Sequence, residues 1–353
     1  MDATCHETNW KESLSTAGAV FAPGDSTGEA LHFGNAREEY AALTGGVGLA
    51  DFSHRTQIEL TGADRQTFLH NLCTNEIRRL TAGTGCEAFL CNAQGHVLAL
   101  VNVFCGAANL VIETVPGVGA KLLAHLDRYL IREKVELADR SESWAELLLA
   151  GPGSDAILQP LAGDLPQQPL GNVLTQCAGV DVSLRRVEIT QPHGYLLSAE
   201  RCELPKLWQA LLQAGARPCG SAAVETARIE AGTPYFGPDI TDANLPQEIA
   251  RDARAISFVK GCYIGQETVA RLDALGHVNR TLVGVRFAGA ELPAAGTDLT
   301  DDSGKVVGRV TSATFSPRLT APLAFAYVRR ETNTPGAKLG SSVGSAEVVA
   351  LPI

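Results

Sequence analysis

The stretch 281–353 restricts the fold of this chain more than any other, because it contains strand-like segments and no pattern of a long helix. Apolar and β-branched residues favour strands in short runs at 282–285, 306–310, 323–328 and 347–351. Short strands that follow one another without an intervening helix are typical of a small barrel or sandwich. We therefore predict a separate β-barrel over 281–353.

The part of the chain before this stretch mixes helical patterns with antiparallel hairpins, which predicts an α+β fold with antiparallel sheets. One helix is marked by a stripe of large apolar residues at helical spacing: Leu204, Leu207, Trp208, Leu211 and Leu212. Prolines and glycines accumulate at 160–171 and indicate a linker. We predict three domains, namely an α+β region over 1–160, a second α+β region over 161–280 and the barrel over 281–353.

The composition describes an acidic chain with enough apolar residues for several cores. Its 353 residues are 45% hydrophobic and carry a formal net charge of −10, which repels nucleic acid at long range. The densest basic clusters are pairs of arginines at 78–79, 185–186 and 329–330, which we interpret as solvated surface. No apolar run approaches the roughly 20 residues that span a bilayer, and residues 1–14 lack the arginines of a transit peptide. We expect a cytoplasmic monomer without nucleic-acid or membrane partners.

The nine cysteines indicate reduced thiols rather than disulfides. Their number is odd, and no secretory signal is recognisable at the start of the chain. Structural zinc sites use cysteines or histidines in closely spaced pairs, and no CxxC pair occurs here. We therefore predict no metal ligands.

A helix is predicted to begin at Gln266, directly after Gly265, and to end at Gly276. Glycine is the residue that most often ends a helix, because it adopts the left-handed backbone conformation without strain. The spacing of the apolar residues predicts a buried stripe on this helix, made of Val269, Leu272 and Leu275.

A thiol and a cation lie just before this helix, at Cys262 and Lys260. The positive end of a helix and a nearby ammonium group both stabilise a thiolate. One hypothesis is therefore that Cys262 is accessible and reactive, with a lowered pKa. The alternative is a buried structural cysteine, since free cysteine is among the most buried residue types.

The segment around Cys262 resembles a known family signature. It reads KGCYIGQE at 260–267 and continues as TVARL at 268–272 and GHVNR at 276–280. These segments resemble the signature of the YgfZ-type folate-binding proteins, relatives of the aminomethyltransferase, or T-protein, of the glycine cleavage system. Further segments resemble patterns of the whole superfamily: GLADFSH at 48–54, RIEAG at 228–232, NLPQE at 244–248 and GRVTS at 308–312.

The resemblance implies a multidomain ring of two antiparallel-sheet α+β units and a C-terminal β-barrel around a channel that holds tetrahydrofolate. It also implies an accessory role in iron–sulfur cluster assembly or repair, with iron–sulfur enzymes or cluster-assembly proteins as partners. Cys262 would be the functional thiol and Lys260 its neighbour. The candidate folate contacts are Arg228, Phe236, Asn92, Tyr195 and Gln266. Arg228 has a structural alternative, in which it pairs with Glu225 or Glu230.

The chain departs from the aminomethyltransferase pattern at the residues that matter for transfer. Leu100 stands where the resemblance places the key carboxylate, and leucine cannot accept a proton. Ile189 and Leu196 stand where a tyrosine and a pterin-binding glutamate are expected. We therefore predict weak folate binding and no competent aminomethyl transfer. The alternatives are an active folate-dependent aminomethyltransferase, and a ring-shaped interaction module that has lost folate binding.

Overall fold

The computed structural model describes residues 3–22 and 28–353, with side chains described from residue 10 onward. The chain divides into two compact units. The first unit comprises 1–65, 80–85 and 102–227, and the second comprises 66–79, 86–101 and 228–353. The cysteine at position 5 lies outside the described side chains.

The helices are α1 (Ala3–Thr16), α2 (Ala36–Gly45), α3 (Arg65–His70), α4 (Gly119–Asp127), α5 (Ser154–Ala162), α6 (Leu204–Gln213), α7 (Ser221–Ala231), α8 (Asp252–Ala255) and α9 (Gln266–Leu275). Short 3-10 helices cover Arg201–Glu203, Pro246–Ile249 and Arg330–Thr332. The strands are β1 (Val20–Phe21), β2 (Ala30–His32), β3 (Gly48–Asp51), β4 (Thr56–Thr61), β5 (Gly85–Cys91), β6 (Val97–Cys105), β7 (Asn109–Thr114), β8 (Glu136–Asp139), β9 (Trp144–Ala150), β10 (Asn172–Cys177), β11 (Val180–Val187), β12 (Gly194–Glu200), β13 (Arg217–Cys219), β14 (Arg280–Phe287), β15 (Asp298–Thr300), β16 (Val306–Ser316), β17 (Ala321–Arg329), β18 (Lys338–Ser341) and β19 (Gly344–Val349).

The first unit contains a six-stranded sheet in the order β10-β11-β12-β9-β3-β13. Its neighbouring strands are antiparallel except β13 and β3, which pair in parallel. Helix α6 packs its apolar stripe into the core on one face of this sheet, as the sequence predicted. The core includes the stripe residues Leu204, Leu207, Trp208 and Leu211 together with strand residues such as Leu147, Leu149, Leu184 and Leu197.

A second antiparallel layer in the first unit is built from β4, β7 and β8 and the last residues of β6. β4 pairs with β7 and with β8, and Asn102–Cys105 of β6 pairs with β7. Helix α4 packs beside β4 and β8 and buries Leu122 and Leu126. Strand β7 is buried from Leu110 to Thr114, so this layer lacks the alternation of buried and exposed residues that a half-exposed sheet shows.

The second unit contains the segment around Cys262 and a closed six-stranded barrel in the order β14-β17-β16-β15-β18-β19. The barrel interior is lined by alternating apolar residues, among them Val285, Phe287, Val310 and Val328. The predicted α+β fold with a C-terminal barrel is therefore confirmed. The sequence missed β15 and β18, because strands of three and four residues are too short to show a pattern.

The domain boundaries at 160/161 and 280/281 stay a prediction. Within residues 3–22 and 28–353, no helix is long and apolar enough to cross a membrane.

Candidate functional site

Helix α9 begins and ends where the sequence predicted. Gly265 precedes it with φ 82° and Gly276 follows it with φ 70°, both in the left-handed region. The amide of Gly276 donates to the carbonyl oxygens of Leu272 (3.1 Å) and Asp273 (2.9 Å), which satisfies acceptors at the helix end. The two glycines therefore define the helix through backbone conformation.

The predicted apolar stripe of α9 is wrong at its far end. Val269 is buried, Leu272 is half-buried, and Leu275 is 59% exposed. The contact that fixes the helix lies near its middle, where Gln247 Nε2 donates to the carbonyl of Val269 at 2.7 Å. Periodicity alone could not show that the last turn projects from the core.

Lys260 is a buried structural cation. Its ammonium group donates to three backbone carbonyls, those of His70 (2.5 Å), Cys73 (2.6 Å) and Asn75 (2.8 Å). It also lies 4.8 Å from the ring centre of Tyr263. All three ammonium hydrogens therefore have acceptors, and Lys260 joins the Cys262 segment to the loop after α3.

The charge of Lys260 acts on buried thiols. Burial lowers the pKa of Lys260, and the neighbouring groups Cys73, Glu76 and Cys86 oppose that change. Burial raises the pKa of the Cys73 thiol to about 11 although Lys260 favours its thiolate. Burial also raises the pKa of Cys86. The Lys260 ammonium therefore interacts with the Cys73 and Cys86 thiols, and its role as the neighbour of Cys262 stays a prediction.

Cys262 is exposed, so the alternative of a buried structural cysteine does not describe its position. Cys202 is also exposed, whereas most of the other described thiols are buried. The assignment of Cys262 as the functional thiol stays a prediction. Among the described residues, no group of three or more His, Cys, Asp or Glu side chains is arranged to hold a metal ion.

Arg228 is fully buried and its charge is balanced by a residue that the sequence did not suggest. Nη1 donates to Asp239 Oδ2 (2.7 Å) and to the carbonyl of Thr233 (3.0 Å), and Nη2 donates to Ser312 Oγ (3.3 Å). The guanidinium also lies 4.5 Å from the ring centre of Tyr235. The contacts with Asp239 and Ser312 tie α7 to the barrel strand β16 within the second unit. A folate contact by Arg228 stays a prediction.

Asn92, Gln266 and Phe236 lie in the same unit as Cys262. Asn92 Oδ1 accepts hydrogen bonds from the amides of Gln94 and His96, both at 3.0 Å, and so holds the turn between β5 and β6. This turn contacts the start of α9, where Gln266 is half-buried. Phe236 packs against an apolar cluster that also contacts Leu100: Phe89, Cys91, Val97, Ile240, Ile249, Ala255, Ile256, Tyr263 and Val269.

Tyr195 lies in the first unit, whereas the other candidate folate contacts belong to the second unit. Its ring belongs to the core under α6, and its hydroxyl donates to Asp155 Oδ1 at 2.9 Å. Burial, followed by Asp155, raises the pKa of Tyr195 to about 12. A direct folate contact by Tyr195, which stays a prediction, requires this ring to leave the core.

The structure shows a cavity in the first unit that sequence reasoning missed. Its volume is about 590 Å³, within the range of small-molecule sites. Its walls come from β9, β10, β11 and β12 and include Trp144, Ser183, Arg185, Ser198 and Glu200. The interpretation of Arg185 as solvated surface is wrong, because its side chain is 1% exposed.

Arg185 is the centre of a buried polar network beside this cavity. Nη1 donates to Gln57 Oε1 (3.0 Å) and to Glu146 Oε1, and Nε donates to Ser183 Oγ (3.0 Å). Ser198 Oγ donates to Gln57 Oε1 at 2.8 Å. Burial raises the pKa of Glu146, and the Arg185 guanidinium opposes that rise. The second oxygen of Glu146 and the amide nitrogen of Gln57 are buried without hydrogen-bond partners, so this network retains an acceptor and a donor.

The fold has two characteristic parts, an α+β region and a closed barrel. It also contains the buried networks around Arg185 and Arg228. A family model described as the GCVT N-terminal domain matches residues 10–258, and one described as the glycine cleavage T-protein C-terminal barrel domain matches residues 280–353. The chain therefore belongs to the glycine cleavage T-protein family.

Individual relatives extend the match over most of the chain. An aminomethyltransferase from Streptomyces avermitilis is 32% identical over 338 residues, covering 91% of this chain and 90% of the relative. An aminomethyltransferase from Rubrobacter xylanophilus is 29% identical and covers 86% and 81%. The crystal structure of glycine cleavage system aminomethyltransferase T from Bartonella henselae shares the fold, with a TM-score of 0.85 at 23% identity over 97% of this chain and 96% of that one.

These comparisons overturn the predicted role in iron–sulfur cluster assembly. The Streptomyces avermitilis and Rubrobacter xylanophilus relatives, which match most of the chain, are aminomethyltransferases, and this favours the aminomethyltransferase alternative. The wrong prediction rested on the segments at 260–272 and 276–280, whereas the overall match draws on most of the chain. A short motif specifies one loop, and it does not by itself decide what the rest of the fold does.

Proposed function

We propose that this chain is a tetrahydrofolate-dependent aminomethyltransferase. The observation that carries the proposal is the 32% identity to an aminomethyltransferase over 91% of the chain. Because this match spans the α+β region and the barrel, it supports an activity that uses the whole family fold. Tetrahydrofolate would be the acceptor of the carbon.

The cavity beside Arg185 supports the binding of a polar ligand, because Ser183, Arg185 and Ser198 lie on its wall. The unpartnered oxygen of Glu146 and the unpartnered amide nitrogen of Gln57 are buried in the hydrogen-bond network that Arg185 joins.

Leu100 sets the expected rate. Transfer of an aminomethyl carbon to a folate nitrogen moves protons, and a positioned acid or base commonly accelerates such a step by about 100- to 10,000-fold. Leu100 is half-buried against an apolar cluster and supplies neither. We therefore expect transfer that is measurable but slow.

The test compares the native chain with two variants in an assay of carbon transfer from a lipoyl-bound aminomethyl donor to tetrahydrofolate. Leu100→Asp places a carboxylate at position 100, where the resemblance to the aminomethyltransferases expects one. We expect it to raise the rate of carbon transfer by about 100-fold or more. Leu98→Asp is the matched control, because Leu98 is half-buried and lies two residues earlier on β6. It is expected to give no increase.

Binding is measured in parallel by titration with tetrahydrofolate. Absence of both binding and transfer in the native chain and in Leu100→Asp would overturn the proposal. Binding without transfer in either protein would limit the chain to holding folate and would also reject the transferase assignment.

The YgfZ-type branch is proposed as the subfamily of this chain, together with a cytoplasmic location. Its support is the KGCYIGQE segment with Cys262 on the surface. If Cys262 takes part in the reaction, Cys262→Ser lowers transfer while the melting temperature stays unchanged. An equal loss of transfer in Cys202→Ser would reject a special role for Cys262.

A further inference from the structure

A separate cavity lies within the second unit, between the end of α9 and the segment around α8. Its volume is about 350 Å³. Its polar walls include Gln247, Asp252, Asp273 and His277, with Arg330 and Asn333 on the barrel side. None of these residues lines the cavity beside Arg185, which lies in the first unit.

Two hydrogen-bond acceptors on the cavity wall have no partner in the protein. Gln247 is 8% exposed and its Nε2 donates to the carbonyl of Val269 at 2.7 Å, which fixes the orientation of the amide. Its Oε1 is buried and unpartnered, and so is Oδ1 of Asp252. Buried acceptors in native proteins are usually satisfied, so two of them on one cavity indicate that a donor binds there.

The charges around these acceptors favour a cation. Asp252 and Asp273 act on each other as like charges, because Asp273 contributes to the raised pKa of Asp252. The end of α9 at Leu272, Asp273 and Gly276 lies on the same wall, and the C-terminal end of a helix is its negative end. Arg330 is the opposing charge, and it leaves the two carboxylates in excess.

The remaining walls suit a carbon chain rather than a bare metal ion. Phe258, Leu272 and Val278 supply apolar surface, and Phe258 is 47% exposed at the rim. Within the described part of the chain, no set of three or more metal-ligating side chains occurs. Hydrogen-bond acceptors beside apolar surface match a group that combines N–H donors, positive charge and a hydrocarbon body.

We propose that this cavity binds an organic cation, an alkyl ammonium or alkyl guanidinium group, which donates to Asp252 and Gln247. This site is separate from the cavity beside Arg185. It gives the chain a second ligand site for an amine-bearing small molecule.

The test is a titration of the isotope-labelled full chain followed by nuclear magnetic resonance. The probes are n-butylammonium, n-butylguanidinium and the neutral n-butylurea. We expect the two cations to shift the amide signals of the cavity residues, with Kd on the order of 1 mM for ligands of this size. The urea separates charge from shape, and the two cations show which head group fits better.

Two variants and one control locate the site. Asp252→Asn should weaken binding about tenfold, as expected for the loss of a charged hydrogen-bond acceptor, and Gln247→Met should weaken it less. Asp302→Asn makes the same charge change at an exposed residue outside the cavity and should leave binding unchanged. Asp252→Asn is expected to fold normally, because burial raises the pKa of Asp252 and thus disfavours its charge.

Three results would overturn the proposal. Equal shifts with the urea would show that the positive charge contributes nothing to binding. Displacement of the cations by Mg²⁺ at lower concentration would show a metal site. Equal weakening by Asp252→Asn and Asp302→Asn would show attraction to the overall negative charge.

Discussion

Gly95 and Gly265 meet backbone against backbone. A Cβ atom on Gly265 would lie 2.9 Å from the Cα of Gly95 and 2.6 Å from the carbonyl oxygen of Asn92. Thr268 Oγ1 completes this contact by donating to the carbonyl of Gln94 at 2.8 Å. The glycine before α9 therefore allows close packing against the β5–β6 turn of the same chain, where the sequence analysis identified Gly265 only as the residue before the helix.

Gly265→Ala should destabilise the protein by more than about 2 kcal/mol, since it combines a left-handed backbone with a steric clash. Gly276→Ala is the matched control, because its φ is 70° but nothing lies within 4 Å of the added Cβ. It should cost only the conformational penalty, about 1 kcal/mol. Urea unfolding measures the loss of stability in both variants. Equal losses would show that the contact with Gly95 contributes nothing.

Lys260→Met should lower the free energy of unfolding by about 3 kcal/mol, because three carbonyl groups lose a charged donor. Lys260→Arg is expected to rescue little, since a planar guanidinium cannot replace a compact ammonium among three converging acceptors. Lys338→Met removes an exposed lysine that pairs with Glu347 and should cost less than about 1 kcal/mol. Thermal and urea unfolding provide the comparison. A loss no larger than that of Lys338→Met would contradict the structural role of Lys260.

Alkylation with peptide mapping should label Cys262 and Cys202 before Cys73 and Cys91, because the first two are exposed and the last two are buried. Burial also raises the pKa of Cys73 to about 11, which keeps it protonated at neutral pH. Cys202 is the reference for an exposed thiol outside the KGCYIGQE segment. Labelling of Cys262 at lower pH than Cys202 would confirm the predicted activation, and identical pH profiles would exclude it.

Asp252 should make stability fall as the pH rises. Burial and then Asp273 raise its pKa from 3.8 to about 6 in the folded chain. The unfolded chain therefore loses this proton first, and the folded state becomes less stable from roughly pH 4 to pH 6. Above roughly pH 6 the loss in the free energy of unfolding stays constant, at about 1–2 kcal/mol once partial solvent screening is considered.

Asp252→Asn removes this titration. At pH 7 the variant should be more stable than the native chain by that amount, and the difference should vanish below roughly pH 4. Asp302→Asn makes the same substitution at an exposed residue and is the matched control. Melting temperatures across the pH range measure the effect, and a constant difference between Asp252→Asn and the native chain would refute it.

The sequence alone predicted the features that short segments determine. The β-barrel follows from strand propensity between turns at 281–353, and the limits of α9 follow from Gly265 and Gly276. The apolar stripe of α6 was predicted to belong to the core because its residues are large and recur at helical spacing. Each of these features depends on residues that are close to one another in the sequence, so the pattern is visible without knowledge of the fold.

The tertiary structure decided the partners of the charged residues. Arg185 was interpreted as surface, yet it meets Glu146 and Gln57, which are distant in sequence, and it lines a cavity. Lys260 was placed beside Cys262 because they are close in the chain, yet its ammonium binds carbonyls about 190 residues earlier. A buried charge is stable only where the fold brings enough acceptors or opposite charges to it, and that arrangement depends on long-range packing that local patterns do not contain.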